Sequence, residues 1–318
     1  MTLWIRTDGS RSVGLGHIKR CLTIADEARR RGLSVNFVVS TGNDIGLPIL
    51  IAANFPVVQV PSFSHDWLTE LRAGDFLLLD GYHLGDQIEA AVQTPGIRVA
   101  TFDDLDVDLP PVDLLLMPSL MESTIRRSIR SRVLTGPRFA PVASQFTSMR
   151  RLRWERVGSL LVTLGSSDPS NLAVPVLRAI ATLQVSWNVT LLVGPGMKDV
   201  IPPAYPQFSA IRLSGELSPF FDRFDAAISA AGTTTWELLC MGMPTALVVA
   251  AENQRGVVHT AISNSAALYG GDAETIETDL PGALLDLADP DCRRKLSSSA
   301  LKLIDGKGAE RIVEAFLN

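Results

Sequence analysis

Apolar residues in this chain fall into two recurring patterns: short unbroken runs suited to buried strands, and longer stretches at helical spacing that open after small polar turns. Leu3 to Thr7 is the first strand-like run. From Ile18, the residues Ile18, Cys21, Leu22, Ala25 and Ala28 recur at helical spacing, and Gly32 ends that helix after Arg29, Arg30 and Arg31. Ser34 to Ser40, Val57 to Val60, Asp75 to Asp80, Arg98 to Phe102 and Leu114 to Met117 read as further strands. Helical fragments are expected at Trp67 to Leu71 and Asp86 to Val92, while Asn43 to Ala53 is mixed. A Pro-, Ser- and Arg-rich passage from about Pro141 to Arg156 predicts a linker. The alternation then restarts with strands at Leu160 to Leu164, Val189 to Val193, Ala226 to Ser229 and Thr245 to Val249. Helices are expected from Asn171 to about Leu183 and through Leu238, Leu239 and Met241.

Strands alternating with helices predict parallel sheets covered on both faces. The expected class is α/β, with one parallel-sheet domain over residues 1–150 and a second over 151–318, facing each other across a cleft. Ligands of such sheets bind beyond the carboxyl ends of the strands, where Gly14 to His17, Asp80 to His83 and Asp103-Asp104 would gather.

Composition narrows the function classes. The chain has 318 residues, 46% hydrophobic and 20% charged, which fits two globular domains with their own cores. A net charge of −5 argues against a nucleic-acid surface. The basic runs Arg126 to Arg132 and Arg150 to Arg153 are expected to be solvated faces or linker. No apolar run has membrane-spanning length, and a strand begins within three residues of Met1, so no membrane partner and a cytoplasmic location are expected. Cys21, Cys240 and Cys292 lack the spacing of a disulfide framework or a zinc site.

The turn Gly14-Leu15-Gly16-His17 joins the first strand to the first helix. Glycines there admit positive φ and close approach of a ligand, and the helix start offers unpaired N–H groups. His17 at its mouth reads either as a general base for water or as an ordinary first-turn residue. The turn matches neither the dinucleotide fingerprint nor the Gly-Lys-Ser/Thr phosphate loop, so no cofactor is implied. Gly232-Thr233-Thr234-Thr235 opens another helix with N–H groups, hydroxyls and a helix dipole at one point, suited to a diphosphate held without a metal. Glu237 could accept from ribose hydroxyls, or pair with Thr234 in a capping box. The turns Gly165 to Asn171, with Ser166, and Glu252 to Gln254 are expected to open onto the same cleft. Asp104-Leu-Asp106 and Asp106-Val-Asp108 match a divalent-ion pattern, but they precede Pro110-Pro111 in an expected surface loop, and no metal is assigned to them.

Taken together, Arg6-Thr-Asp-Gly-Ser, Gly14-Leu-Gly-His17-Ile-Lys-Arg20-Cys-Leu, Asp80-Gly-Tyr82-His83, Asp103-Asp104-Leu, Gly136-Pro-Arg138-Phe139, Gly165-Ser-Ser-Asp168-Pro, Ser229-Ala-Ala-Gly232-Thr-Thr-Thr-Trp-Glu237 and Glu252-Asn253-Gln254 resemble the UDP-sugar hydrolase family of pseudaminic acid biosynthesis (the PseG family). The motifs stand in that family's order up to about residue 255. The resemblance implies a GT-B-like fold of two Rossmann-like domains, related to the MurG glycosyltransferase. It further implies metal-independent release of UDP and a free diacetamido-trideoxy hexose, with inversion at the anomeric carbon. On that basis His17 activates the attacking water, and Asp8 and Tyr82 lie on the sugar side; by their own sequence Tyr82 and His83 read either as lining the cleft or as a plain loop. Gly232, Thr233, Thr234, Thr235, Glu237, Asn253 and Gln254 hold the nucleotide. Gly165-Ser166-Ser167-Asp168 stands where the family has Gly-Gly-Ser-Asp, a difference that bears on the sugar more than on the reaction. Two other functions stay open: a GT-B glycosyltransferase using a UDP-sugar donor, and a non-catalytic nucleotide-sugar binding protein. A monomer is the expected state.

Overall fold

The computed structural model describes residues 1–10, 14–104, 109–119, 131–183, 186–198, 207–212 and 217–318. Arg11, Asp106, Asp108 and the basic run 126–130 lie outside the described residues. The chain divides into two compact units, one of Met1–Pro141 with Lys307–Asn318 and one of Val142–Gly306.

The first unit is built on a seven-stranded sheet: β1 Thr2–Thr7, β2 Ser34–Ser40, β3 Val57–Val60, β4 Phe76–Asp80, β5 Arg98–Phe102, β6 Leu114–Met117 and β7 Arg132–Thr135. Their order is β3-β2-β1-β4-β5-β6-β7, and every described pairing is parallel. The order reverses between β1 and β4, which makes the space beyond their carboxyl ends the unit's switch point. Leu77, Leu78 and Leu79 of β4 are fully buried because both faces of the strand are covered. On one face the helix Gly16–Arg30 packs Ile18, Cys21, Ile24, Ala25 and Ala28 against Leu3, Ile5 and Leu78. The mixed stretch after β2 resolves into a helix at Gly46–Ala52, and the fragment near Trp67 into a single 3-10 turn at Asp66–Glu70.

A sequence boundary at 150/151 assigns the whole C-terminus to the second half, whereas the contacts return Lys307–Asn318 to the first unit. The terminal helix Gly308–Leu317 carries Ala309, Ile312, Val313 and Phe316 on one stripe, and these complete the same core as Leu3 and Ile5. Phe316 stacks on Phe76 with ring centroids 5.7 Å apart.

The second unit repeats the plan with six parallel strands: β8 Ser159–Thr163, β9 Asn188–Leu192, β10 Phe208–Ile211, β11 Ala226–Ala230, β12 Thr245–Val249 and β13 Leu268–Asp272, in the order β10-β9-β8-β11-β12-β13. Its switch point lies between β8 and β11. The helices Ala173–Thr182 and Ile276–Ala288 cover one face through Val176, Leu177, Ile180, Leu280, Ala283 and Leu284.

The unit boundary falls at Pro141/Val142, where the expected linker begins, but the Arg150 to Arg153 run, expected to be a solvated face or linker, is packed against this unit. Arg153 is buried, donating to the Met241 carbonyl at 3.3 Å and pairing with Asp222. Arg150 donates to the Cys240 carbonyl at 3.1 Å and to the Leu301 carbonyl at 2.7 Å. Those carbonyls end the helices Thr233–Cys240 and Pro290–Leu303, so the guanidinium groups satisfy acceptors that have no partner within their helices. Among the described residues, no helix is long and apolar enough to cross a membrane.

Candidate functional site

The site in the first unit begins where β1 runs out. Gly14 has φ +87° and donates its N–H to the Ser10 carbonyl at 2.7 Å, two residues before the helix that starts at Gly16. His17, the second residue of that helix, is thereby aimed at the end of β4, where Asp80 emerges beside β1.

His17 Nδ1 lies 2.8 Å from Asp80 Oδ1. Because an ionised carboxylate only accepts, Nδ1 carries a proton, and in the neutral ring the lone pair then sits on Nε2. Arg20, one turn further along the same helix, donates Nε to Asp80 Oδ2 at 2.7 Å and Nη2 to Oδ1 at 2.5 Å. It also bonds Asp104 Oδ2 at 2.6 Å. The 3.2 Å separation between Arg20 Nη2 and His17 Nδ1 is that of two donors converging on one oxygen. The Cys21 thiol adds a 3.2 Å contact to Asp80 Oδ2. Burial pushes the Asp80 carboxyl up, but Arg20 and His17 more than offset it and hold the group well below the usual carboxylate range. Burial likewise raises the Cys21 thiol, with Asp80 adding to it. The Arg20 guanidinium loses to burial but gains more from Asp104 and Asp80, so it stays charged. The Tyr82 ring meets His17 edge-on, with centroids 4.8 Å apart and planes at 89°. Burial, and then Asp104, raise the Tyr82 hydroxyl above its ordinary range.

The other expected residues of this rim are placed differently. Asp8 turns both oxygens toward its own scaffold: Oδ1 accepts from the Ser40 N–H at 2.7 Å, and Oδ2 from Ser40 Oγ and Arg6 Nη1 at 2.8 Å each. His83 is exposed in the turn after β4, at φ +62°.

In the second unit, Gly232 is the N-cap of the helix Thr233–Cys240, and among the described residues no side chain caps that end. Thr234 lies inside the helix, so no capping box starts there. A Cβ built on Gly232 meets nothing within 4 Å, leaving the approach to the first N–H groups open on this unit. Thr233 and Thr234 are half-buried, and Thr235 is fully buried with its hydroxyl 3.4 Å from the Ala230 carbonyl. Glu237 is buried in the second turn. Gly165, at φ +86°, is exposed, and the half-buried Ser166 accepts at its carbonyl from Gly196 N–H at 2.7 Å. The Asp168 carboxylate accepts from the Leu172 and Ala173 N–H groups at 2.9 and 3.0 Å, so the helix Ala173–Thr182 already has an anion at its start. Among the described residues, the start of the Thr233–Cys240 helix, unlike that of Ala173–Thr182, holds no capping carboxylate. Asn253 is half-buried in the turn Glu252–Gln254, and Gln254 Oε1 accepts from Ala250 N–H at 2.9 Å.

Sequence reasoning placed Asp80 and Asp104 at this rim but gave Arg20 no place there. The available signal was position: Arg20 stands three residues after His17, on the same helix face. Among the described residues, no group of three or more His, Cys, Asp or Glu side chains could hold a metal ion.

No family model matches the chain. A solved structure of MurG from Acinetobacter baumannii superposes with a TM-score of 0.69 over 100% of this chain and 99% of its own, at 15% identity. This chain has the GT-B fold. Among curated relatives, the spore coat polysaccharide biosynthesis protein SpsG of Bacillus subtilis is 22% identical over 331 residues, covering 98% of this chain and 96% of that protein. An uncharacterized protein of Methanocaldococcus jannaschii is 20% identical over 277 residues, 80% of this chain, and the match spans only 57% of that protein. A UDP-N-acetylglucosamine–N-acetylmuramyl-(pentapeptide) pyrophosphoryl-undecaprenol N-acetylglucosamine transferase of Gloeobacter violaceus is 28% identical over 172 residues, 49% of this chain and 46% of its own.

Proposed function

We propose that the chain breaks the bond between the anomeric carbon of a sugar and UDP, with His17 as the general base. The observation that carries this reading is the Asp80-oriented imidazole at the switch point of the first sheet. Nε2 takes the proton of an attacking hydroxyl as its oxygen bonds to the anomeric carbon. The bond from that carbon to the diphosphate breaks, its electron pair leaves on UDP, and the configuration inverts. The negative charge of UDP is met by the Thr233–Cys240 helix start, where Gly232 leaves room for phosphate oxygens. Glu237, Asn253 and Gln254 are assigned to the nucleoside side.

The comparisons favour a hydroxyl-bearing acceptor, and hence glycosyl transfer: one relative is named as a transferase using a UDP-sugar, and another as a polysaccharide biosynthesis protein. Hydrolysis is the second reading. It is supported by the burial of His17, whose side chain is only 8% exposed beneath Tyr82, a setting that suits an acceptor as small as water. It also agrees with the motif resemblance to the pseudaminic acid hydrolases.

Incubation with a panel of UDP-sugars, including diacetamido-trideoxy hexoses, tests both. UDP release without acceptor, equal to free reducing sugar, means hydrolysis. Release only when saccharide acceptors are added means transfer. Binding of UDP-sugars without release under either condition overturns the proposal in favour of a non-catalytic binding protein.

A further inference from the structure

We propose that Arg20 is a positioning residue that keeps His17 in its proton-accepting form, by holding Asp80 in place and by opposing a second proton on the ring. This rests on His17 acting as the base. Arg20 is one-tenth exposed and clamps both Asp80 oxygens, while its Nη2 stands 3.2 Å from His17 Nδ1. Two opposing fields therefore act on the imidazole. Asp80, in direct contact, favours the imidazolium, and Arg20 disfavours it.

Among the described residues, the groups facing the ring come from four elements. Arg20 comes from its own helix, Asp80 from the end of β4, Tyr82 from the turn beyond, and Asp104 from the loop after β5, where it is tied to Arg20. The Cys21 thiol touches Asp80 from below. Phe102 closes the far side of Arg20, with the guanidinium 4.0 Å over its ring centroid, so the cation cannot swing away from the dyad without losing that stack. Without Arg20, the full charge of Asp80 would act on His17, and the base would be protonated at a pH where it needs to accept. Without Asp104, the Arg20 charge would be less neutralised, and the ring would be pushed the other way.

The two substitutions thus have effects of opposite sign. Arg20→Gln should lower kcat about 100-fold near neutral pH with KM changed less than about two-fold, and the deficit should shrink as pH rises. Asp104→Asn, at a partly exposed carboxylate, should move the acidic limb of the kcat profile downward. A purely structural role for Arg20 predicts a deficit that is equal at every pH, with KM rising alongside, and that result overturns the proposal. Imidazole nitrogen NMR of the free protein reads the same effect without turnover, in a chain with only four histidines. At one fixed pH the doubly protonated fraction of His17 should be larger in Arg20→Gln than in the native protein, and smaller in Asp104→Asn. If Arg20→Gln does not fold, the Asp104→Asn result decides. If the NMR shifts follow this order while no UDP-sugar is cleaved, the base assignment fails and the Arg20 effect on the ring stands. If the shifts are absent, the proposal for Arg20 fails whatever the activity.

Discussion

His17 and Asp80 stand 63 positions apart in the chain, yet Nδ1 of one lies 2.8 Å from Oδ1 of the other. The contact exists because β4 is inserted beside β1, so that the strand end carrying Asp80 meets the helix opened by the Gly14 turn. A carboxylate so placed selects the ring tautomer and leaves Nε2 as the only lone pair.

Replacing His17 by Ala removes the proposed base but no part of the candidate nucleotide site. Turnover should fall by roughly 10²- to 10⁴-fold, the usual range for a positioned base. The Kd for UDP by titration calorimetry should stay within about two-fold. A parallel loss of UDP affinity would mean that His17 binds nucleotide and is not the base.

Asp80→Asn tests the orienting partner in two ways. The amide can turn its NH₂ toward Nδ1 and favour the wrong tautomer, so kcat should fall by at least about 10²-fold with KM little changed. The same carboxylate links stability to pH. Its folded-state value lies below the unfolded one, so its contribution is complete above about pH 4 and is lost as pH falls below that. Urea unfolding from pH 7 to pH 3 should show native stability dropping more steeply on the acid side than that of Asp80→Asn. Equal slopes would show that Asp80 carries no pH-linked stabilisation.

The central strands were legible because strands buried on both faces read as unbroken apolar runs, as in Leu77 to Leu79 and Leu160 to Val162. Of the four edge strands, β3, β7, β10 and β13, only β3 was. Residues of β10 are mostly exposed, and β13 contains Gly270 and Gly271, so neither shows a strand pattern by itself. Nor could periodicity tell which unit owns the terminal helix, since an apolar stripe states that a core exists and not which one. At the site, glycines marked the turn holding His17. Arg20, Arg150 and Arg153 each look like solvated charges in sequence, and only the fold brings their partners, Asp80 and the helix-end carbonyls, within reach.

Gly232 separates a ligand role from a folding one. Its backbone is extended, with φ −97° and ψ −159°, and an added Cβ meets no atom within 4 Å. Gly232→Ala should therefore fold with an unchanged melting temperature. If phosphate oxygens approach this helix start, the methyl group intrudes on them, and UDP should bind at least about tenfold more weakly, a cost of roughly 1.4 kcal/mol. Native-like UDP affinity in Gly232→Ala would remove the diphosphate from this position.

The terminal helix gives the last test, because its effect should be confined to one unit. Phe316 is buried against Phe76 in the core beneath β1 and β4, although the chain has by then passed through all of the second unit. Phe316→Ala should cost about 3–5 kcal/mol, the range for deleting a buried aromatic side chain. Hydrogen exchange should then quicken in β1, β4 and β5, since protection there is limited by opening of the unit that lost the contact. Amides of β8, β11 and β12 belong to a separate core and should keep their native protection. Uniform loss across both sheets would mean that the two units unfold as one and that the terminal helix stabilises them jointly.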